Sequence, residues 1–156
     1  MTDGRKMKRA AESAAEQVHV LTMPTFNGNG RLSGGQLMWW IDETATVVAR
    51  RHAESDVTTA RVDNLQMLRP AFSKDTVVVK GRIVYVGNSS MEVRVDVFTE
   101  RFYGEQTLIA TAEVLMVALD ENEKVRTVPG LILETDEEKA AFAAAEKRLK
   151  NRKKGI

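Results

Sequence analysis

Four stretches of the chain alternate between apolar and polar residues, the pattern of half-buried β-strands. They are residues 57–68, 76–86, 91–102 and 107–119. The alternation is clearest in "MEVRVDVFTE", where Met91, Val93 and Val95 share one face while Glu92 and Arg94 share the other. Short polar segments separate the four, and residues 17–22 add a shorter stretch of the same kind. The pattern predicts a five-stranded antiparallel sheet with one covered face and one wet face.

A long apolar segment between the first and second of these strands repeats with the period of an α-helix. From about Gly34, a wheel of 100° per residue gathers its apolar residues on one arc. Leu37, Ile41, Ala45 and Val48 form that arc, whereas Trp39, Glu43, Thr46 and Arg50 point away. We expect this helix to cover the sheet, which makes the fold class α+β. Asp42 falls at the edge of the apolar arc.

The two ends of the chain differ from its middle. Residues 1–16 are small, polar and charged, and they predict a mobile arm or a short helix with little to bury. Residues 17–133 form the single predicted domain. Residues 134–156 predict a second helix, because Thr135 can cap it, acids fill its first turn and bases its last turn. It ends in the basic tail "KRLKNRKKGI".

Composition narrows the function classes. The chain has 156 residues, a formal net charge of +1, no cysteine and two histidines. A balanced charge gives no general reason to expect a nucleic-acid partner, and we expect the basic tail to be a solvated helix end. Without cysteine there is no disulfide or thiol nucleophile, and without a secretory signal the expected compartment is the cytoplasm. No apolar run has the length of a membrane span.

The glycine-rich loop before the helix, "GNGRLSGG", does not match known phosphate-binding motifs. Its glycines fit neither the P-loop nor the dinucleotide fingerprint, because Ser33 stands where the third glycine of the fingerprint belongs. Ser33 also lacks the spacing of a nucleophile elbow. With His19 and His52 far apart in the sequence and no cysteine, we expect no metal site.

Any catalysis must therefore rest on a carboxylate, an amide side chain and backbone N–H groups. The stretch supplies Asp42, Asn27 or Asn29, and the free amides of Gly34 and Gly35 at the helix start. A carboxylate at the rim of an apolar surface loses solvation, which costs free energy unless donors compensate. A structural hydrogen bond to a neighbouring strand would explain Asp42 as well as catalysis does.

Three stretches carry a family resemblance. "MPTFNGNGRLSGGQLMWWIDETATVVARRH", "VTTARVDNLQMLRPAFSKDTV" and "VGNSSMEVRVDVF" are similar to the acyl-CoA thioester hydrolases of the hotdog-fold thioesterase superfamily. The resemblance covers roughly residues 17–133. It implies the hotdog fold, in which a five-stranded antiparallel sheet wraps around one long central helix. It also implies hydrolysis of fatty acyl-CoA to a free fatty acid and CoA.

The resemblance implies roles for particular residues. Asn27 and Asp42 are the catalytic pair, with Asp42 as the base that activates water or, alternatively, as a nucleophile. The amide of Gly35 holds the oxyanion. The substrate-binding residues that it implies, or that extend it, are Gly34, Met38, Arg61, Arg69, Arg82, Gly87, Asn88, Ser89 and Ser90. Of these, Gly87 to Ser90 are placed near the pantetheine arm or phosphates of CoA, and the arginines are candidate phosphate partners.

The sequence pattern and the resemblance also predict the partners of the protein and leave alternative functions open. An open sheet edge and a partly apolar helix flank predict self-association, and the resemblance implies dimers, with further assembly to a hexamer, and a site shared by two chains. No cofactor or metal is expected, since coenzyme A belongs to the substrate and product. The main alternative is a non-catalytic module that binds or senses acyl-CoA. A hydratase on the same fold needs an Asp-and-His arrangement, which neither histidine supplies.

Overall fold

The computed structural model describes residues 4–102 and 104–154 of the chain. Its strands are β1 (Met7–Arg9), β2 (Ala15–Val20), β3 (Asp56–Met67), β4 (Thr76–Val86), β5 (Ser90–Glu100), β6 (Gln106–Leu119) and β7 (Gly130–Ile132). Strands β2 to β6 form one antiparallel sheet in the order β2-β4-β5-β6-β3. The predicted five-stranded antiparallel sheet is therefore confirmed, and the strand ends differ from the predicted ones by at most two residues. Strands β2 and β3 are the two edges.

Helix α1 (Gly34–Ala53) lies across one face of this sheet. The side chain of Ser33 accepts a hydrogen bond from the amide of Gln36 and so caps the helix. The helix ends at Glu54, whose φ of 57° is left-handed and whose amide donates to the carbonyl of Arg50. The predicted apolar arc is buried, and it meets the alternating valines of β4 and β5 to form the core.

The helix approaches the sheet most closely at Gly81 of β4. A Cβ atom at this position would lie 2.9 Å from Cγ2 of Thr44 and 3.1 Å from Cγ2 of Val48. Both distances are shorter than ordinary carbon contacts. The absence of a side chain at Gly81 thus sets how tightly α1 packs on β4.

Helix α2 (Asp136–Lys154) lies on the opposite face of the sheet, and Thr135 caps it as predicted, with its hydroxyl accepting from the amide of Glu138 at 3.0 Å. Since successive strand residues point to opposite faces, Val93 faces α1 and Glu92 faces α2. Arg148 pairs with Glu92, and burial raises the pKa of this glutamate even though the guanidinium opposes the shift. Arg152 pairs with Asp63 at 2.7 Å. Two arginines of the basic tail therefore fasten the helix to the sheet.

The N-terminal segment is more ordered than the sequence predicts. Strand β1 pairs in parallel with β7 in a separate two-stranded sheet, and Lys8 is buried with its ammonium donating to the carbonyl of Arg51 at the end of α1. The expectation of a mobile arm or a short helix with little to bury is wrong for Met7–Arg9, which form a strand with a buried lysine. Strands of three residues are too short to be recognised from the alternation of apolar and polar residues. Residues 1–3, Tyr103 and the last two residues of the basic tail lie outside the described residues.

A bilayer-spanning helix is not found in residues 4–102 and 104–154, because neither α1 nor α2 contains a sufficiently long apolar stretch.

Candidate active site

The side chain of Asp42 is half-buried at the border between α1 and the edge strand β3. Its Oδ1 accepts a hydrogen bond of 2.7 Å from the hydroxyl of Thr59. The same hydroxyl lies 3.4 Å from the sulfur of Met116, the residue opposite Thr59 on β6. No hydrogen bond among the described residues uses Oδ2 of Asp42. One carboxylate oxygen is thus oriented by the fold, while the other is free to accept from a water or a ligand.

The Asp42 carboxylate stands beside an irregular part of β3. The pairing of β3 with β6 shifts register between Thr59 and Arg61, and again between Asp63 and Gln66. Bulges of this kind re-aim side chains and are frequent next to functional sites. The edge strand β3 also carries half-exposed apolar residues, with Val62 at 40% and Met67 at 49% exposure. The edge beside Asp42 is therefore both open and partly apolar.

The N-terminus of α1 offers two unused amides. The side chain of Ser33 accepts from the amide of Gln36, whereas the amides of Gly34 and Gly35 have no acceptor among the residues that the structure describes. Free amides at a helix start, together with the helix dipole, favour negative charge. A Cβ at Gly35 would meet only the Ser33 hydroxyl at 3.8 Å, so the surroundings of Gly35 are open, whereas a Cβ at Gly34 would contact the side chain of Met67 at 3.5 Å.

Asn27 is held in a tight turn before the helix. Its side-chain oxygen accepts from the amides of Asn29 at 2.9 Å and Arg31 at 3.2 Å, and its own amide donates to the carbonyl of Arg31 at 2.8 Å. The side-chain NH₂ group has no acceptor within the described part of the chain. Asn27 can therefore donate a hydrogen bond to a ligand. Asn27 rather than Asn29 lines the cleft at the start of α1, which favours Asn27 as the candidate amide.

A surface cleft joins the Asn27 turn to the start of α1 and to the loop after β3. Its lining residues are Asn27, Arg31, Leu32, Gly34, Leu37, Met67, Leu68, Arg69, Pro70, Ala71 and Ile109. Three of the predicted site residues, Asn27, Gly34 and Arg69, thus lie in one place. The cleft combines apolar walls with donors at one end, which suits a ligand that is partly apolar and partly polar.

Asp42 does not line this cleft. It follows Gly35 by seven residues on α1, or about 10 Å along the helix axis at 1.5 Å per residue. Within one chain, Asn27 and Asp42 therefore do not line the same cleft.

Two of the predicted arginines are engaged elsewhere. Arg61 pairs with Asp63 at 2.8 Å, and Asp63 in turn contacts Arg152 of α2. Arg82 pairs with Asp96 at 3.0 Å on the face of the sheet that holds α2. Within one chain, both guanidinium groups lie on the face opposite α1. Their assignment as phosphate partners stays a prediction, and nothing in their surroundings adds to it.

The turn Gly87 to Ser90 lies at the other end of α1. The carbonyl of Asn88 accepts from the amide of Val128, and the carbonyl of Ser89 accepts from the amide of Ala118. Because the next residue, Pro129, accepts a hydrogen bond from His52 near the end of α1, the turn lies on the side of the C-terminus of α1 and not of its N-terminus, where the Asn27 cleft begins. Met38 is 47% exposed on the helix and does not line the cleft.

Sequence reasoning missed Thr59. The bond between Thr59 and Asp42 joins two residues that are 17 positions apart. The sequence signal that could have suggested it is a β-branched residue with a hydroxyl on the strand that follows the helix. The described residues contain no group of three or more His, Asp or Glu side chains placed to hold a metal ion.

Comparison with known proteins gives a family match over the middle of the chain. Residues 29–101 match the model of the thioesterase superfamily. An uncharacterized acyl-CoA thioester hydrolase of Bacillus subtilis is 40% identical over 128 residues, which cover 81% of this chain and 74% of the relative.

Solved structures show the same fold over nearly the whole chain. A hexameric acyl-CoA thioesterase, solved without ligand, superposes with a TM-score of 0.90 at 34% identity and covers 96% of both chains. An acyl-CoA hydrolase of Staphylococcus aureus in complex with coenzyme A has a TM-score of 0.89 at 33% identity, with 96% of this chain and 90% of that chain covered. The predicted fold is confirmed.

The Staphylococcus aureus hydrolase has been solved as three alanine variants, at an asparagine, an aspartate and a threonine. Those positions are separated by 15 and 17 residues, the spacings that separate Asn27 from Asp42 and Asp42 from Thr59 here. Sequence, fold and residue spacing agree, and the chain belongs to the acyl-CoA thioester hydrolases of the thioesterase superfamily.

Proposed function

We propose that this protein hydrolyses fatty acyl-CoA thioesters to free acid and CoA, with Asp42 as the base that activates water. The observation that carries the proposal is the Asp42 carboxylate, oriented by Thr59 on one oxygen and free on the other. A general base needs this arrangement, because it must be held in place and still reach the proton that it removes.

In the proposed reaction, Asp42 takes a proton from water while the water oxygen bonds to the thioester carbonyl carbon. The carbonyl oxygen then carries negative charge. When the tetrahedral intermediate collapses, the carbon–sulfur bond breaks and the proton passes from Asp42 to the sulfur of CoA. Water is the second substrate, the groups that act on it and on the thioester are side chains and backbone amides of the protein, and coenzyme A takes part as a portion of the substrate and as a product.

The oxyanion needs donors where its charge develops. The free amide of Gly35, with that of Gly34 beside it, is suited to this role at the positive end of α1. The unpaired NH₂ group of Asn27 is suited to donate to the same carbonyl or to the attacking water. Both groups lie at or just before the N-terminus of α1, whereas Asp42 lies further along the helix.

A twofold pairing of chains at the β3 edge would resolve this separation. Two copies of one edge strand related by a twofold axis must run antiparallel, so the first half of one strand lies beside the last half of the other. Thr59, next to Asp42, is near the start of β3, and Met67, which lines the cleft, is its last residue. Such a pairing brings the Asp42 of one chain toward the Asn27 cleft of its partner, and the half-exposed Val62 and Met67 would become buried. We therefore propose a dimer with two shared active sites.

Relatives guide the choice of substrate and assembly. The Staphylococcus aureus hydrolase was solved with butyryl coenzyme A, and the hexameric relative supports further assembly of such dimers. We propose three dimers per particle for this chain.

The proposal is tested by incubating the protein with saturated acyl-CoA esters of short, medium and long chain and measuring the released CoA with a thiol reagent. We expect the protein to hydrolyse the acyl-CoA esters of at least one of these chain lengths. Binding of these esters by a folded protein without release of CoA would contradict the enzymatic function and favour the non-catalytic binding module.

A further inference from the structure

The cleft beside Asn27 carries two positive charges and no negative charge. Arg31 and Arg69 line it, and none of its other lining residues is a carboxylate. Neither arginine forms a salt bridge among the described residues. By contrast, arginines elsewhere on the surface, such as Arg82 and Arg101, pair with aspartates.

Backbone hydrogen bonds fix the main chain at both arginines. The main chain of Arg31 exchanges hydrogen bonds with Asn27 on both sides of the tight turn. The next amide, that of Leu32, donates to the carbonyl of Ala71 at 2.9 Å and ties the turn to the loop after β3. In that loop the amide of Arg69 donates to the carbonyl of Ile109 at 3.3 Å.

An aromatic ring further restricts Arg31. Its guanidinium carbon lies 5.9 Å from the centre of the ring of Phe72, which is 43% exposed. A guanidinium over a ring keeps its N–H edge available for a planar anion, since the ring contacts only its face. Arg31 is thus both oriented and available.

We infer that Arg31, together with Arg69, binds an anionic group of the acyl-CoA substrate. The inference rests on the proposed function, because the cleft also holds Asn27 and the free helix amides. Two sources share this chemistry: a phosphate of the CoA part, or a carboxylate on the acyl part. Arginine forms paired hydrogen bonds with either group.

The test compares Arg31→Gln with Lys74→Gln. Lys74 is exposed in the same loop as Phe72 but does not line the cleft, so its variant removes an equal charge without touching the site. Three substrates separate the two sources. They are butyryl-CoA, the butyryl thioester of N-acetylcysteamine, which lacks phosphate, and glutaryl-CoA, which adds an acyl carboxylate.

If the anion is a phosphate, Arg31→Gln raises KM on the order of tenfold for both CoA esters and leaves the N-acetylcysteamine ester unchanged, and the effect shrinks in high salt. If the anion is the acyl carboxylate, only glutaryl-CoA is affected. Equal KM values for Arg31→Gln and Lys74→Gln on all three substrates would overturn the inference.

Calorimetric titration with CoA keeps this inference separate from the proposed function. Weaker CoA binding by Arg31→Gln than by Lys74→Gln supports the phosphate site even without turnover. A wild-type protein that binds CoA but hydrolyses none of the three thioesters contradicts the enzymatic function instead. Active wild-type protein with unchanged Arg31→Gln kinetics and CoA binding contradicts only the anion site.

Discussion

The hydroxyl of Thr59 donates a 2.7 Å hydrogen bond to Oδ1 of Asp42, and this bond ties the central helix to an edge strand of the sheet. Thr59 is β-branched, so its side chain has few rotamers, and the sulfur of Met116 packs beside its hydroxyl. The carboxylate is therefore fixed in direction as well as in place. This bond is also the structural role that the sequence alone left open for Asp42, so a catalytic role must be tested separately from it.

Replacing Thr59 with valine should lower kcat with little change in KM. Valine keeps the branched shape but removes the hydroxyl that orients Asp42. Hydrogen bonds to charged groups contribute about 1.5–3 kcal/mol, so a loss of roughly tenfold or more in kcat is expected. Steady-state hydrolysis of an acyl-CoA ester measures it.

Two variants control this experiment. Thr59→Ser retains the donor and should keep most of the activity, and Thr58→Val changes the neighbouring exposed threonine, whose side chain points to the other side of β3. A Thr59→Val protein as active as Thr58→Val would show that the bond does not serve catalysis.

Asp42→Asn should reduce kcat by about two orders of magnitude or more, since it removes the base and keeps the shape. Binding of CoA should remain close to that of the wild type. Glu43→Gln, which changes the adjacent exposed acid, is the matched control. Near-normal turnover in a folded Asp42→Asn protein would leave Asp42 with the structural role alone.

Sequence periodicity was sufficient for the elements that bury a face. Asp42 at the rim of α1 and the alternation of β5 follow directly from the 3.6- and 2-residue periods. The pairing of β1 with β7 could not be predicted in this way, because each has three residues and the contact spans more than 120 positions.

The candidate site was only partly accessible to sequence reasoning. Asn27 and the glycines are near neighbours in sequence, so their common location at the start of α1 follows from local structure. Thr59 reaches Asp42 only through the folding of β3 against α1. The separation of Asn27 from Asp42, and the position of Gly87 at the other helix end, depend on tertiary geometry that periodicity does not encode.

Gly81→Ala should destabilise the fold by about 1–3 kcal/mol, because the added methyl group would overlap Cγ2 of Thr44 and crowd Val48. Urea unfolding measures the loss. Combining it with Thr44→Ser removes the nearer methyl group and should recover part of the stability. Gly28, where a Cβ would meet nothing within 4 Å, provides the control substitution to alanine. Equal stability of the Gly81 and Gly28 variants would contradict this account of helix packing.

Acidification should weaken the fold through His52. This side chain is fully buried, its Nε2 donates to the carbonyl of Pro129 at 2.8 Å, and its Nδ1 has no partner among the described residues. Burial lowers the pKa of His52 below its usual 6.5, with a further lowering by the ammonium of Lys8, although the Pro129 carbonyl opposes the shift. As the pH falls below about 6.5, His52 therefore becomes protonated in the unfolded chain before it does so in the folded protein.

Stability from His52 is accordingly complete above pH 6.5 and is lost as the pH falls through the folded-state pKa. Urea unfolding at pH 7.5 and 5.5 should show a lower free energy of unfolding at the acidic pH. The difference should shrink more in His52→Gln than in His19→Gln, because burial lowers the pKa of both histidines but His19 is the less buried of the two. An unchanged difference in His52→Gln would assign the pH dependence to other groups.

Mixing two inactive variants tests whether each active site is shared. If Asn27 acts with the Asp42 of the partner, Asn27→Ala and Asp42→Ala homodimers should both be nearly inactive. A heterodimer of the two then holds one site with both substitutions and one site with neither. Random pairing makes about half of the dimers heterodimers with one intact site each, so an equal mixture should reach roughly a quarter of wild-type activity. Light scattering should first confirm that each variant is oligomeric.

A site formed within one chain predicts the opposite result. If Asn27 and Asp42 of the same chain formed the site, every site in the mixture would carry one lesion and mixing would restore nothing. The variants are refolded together, and native mass spectrometry confirms that subunits have exchanged. Complete exchange without recovery would therefore reject the shared site. Recovery would agree with the open β3 edge and with the half-exposed Val62 and Met67 along it. It would also agree with the distance of about 10 Å along the helix axis between Gly35 and Asp42 in one chain.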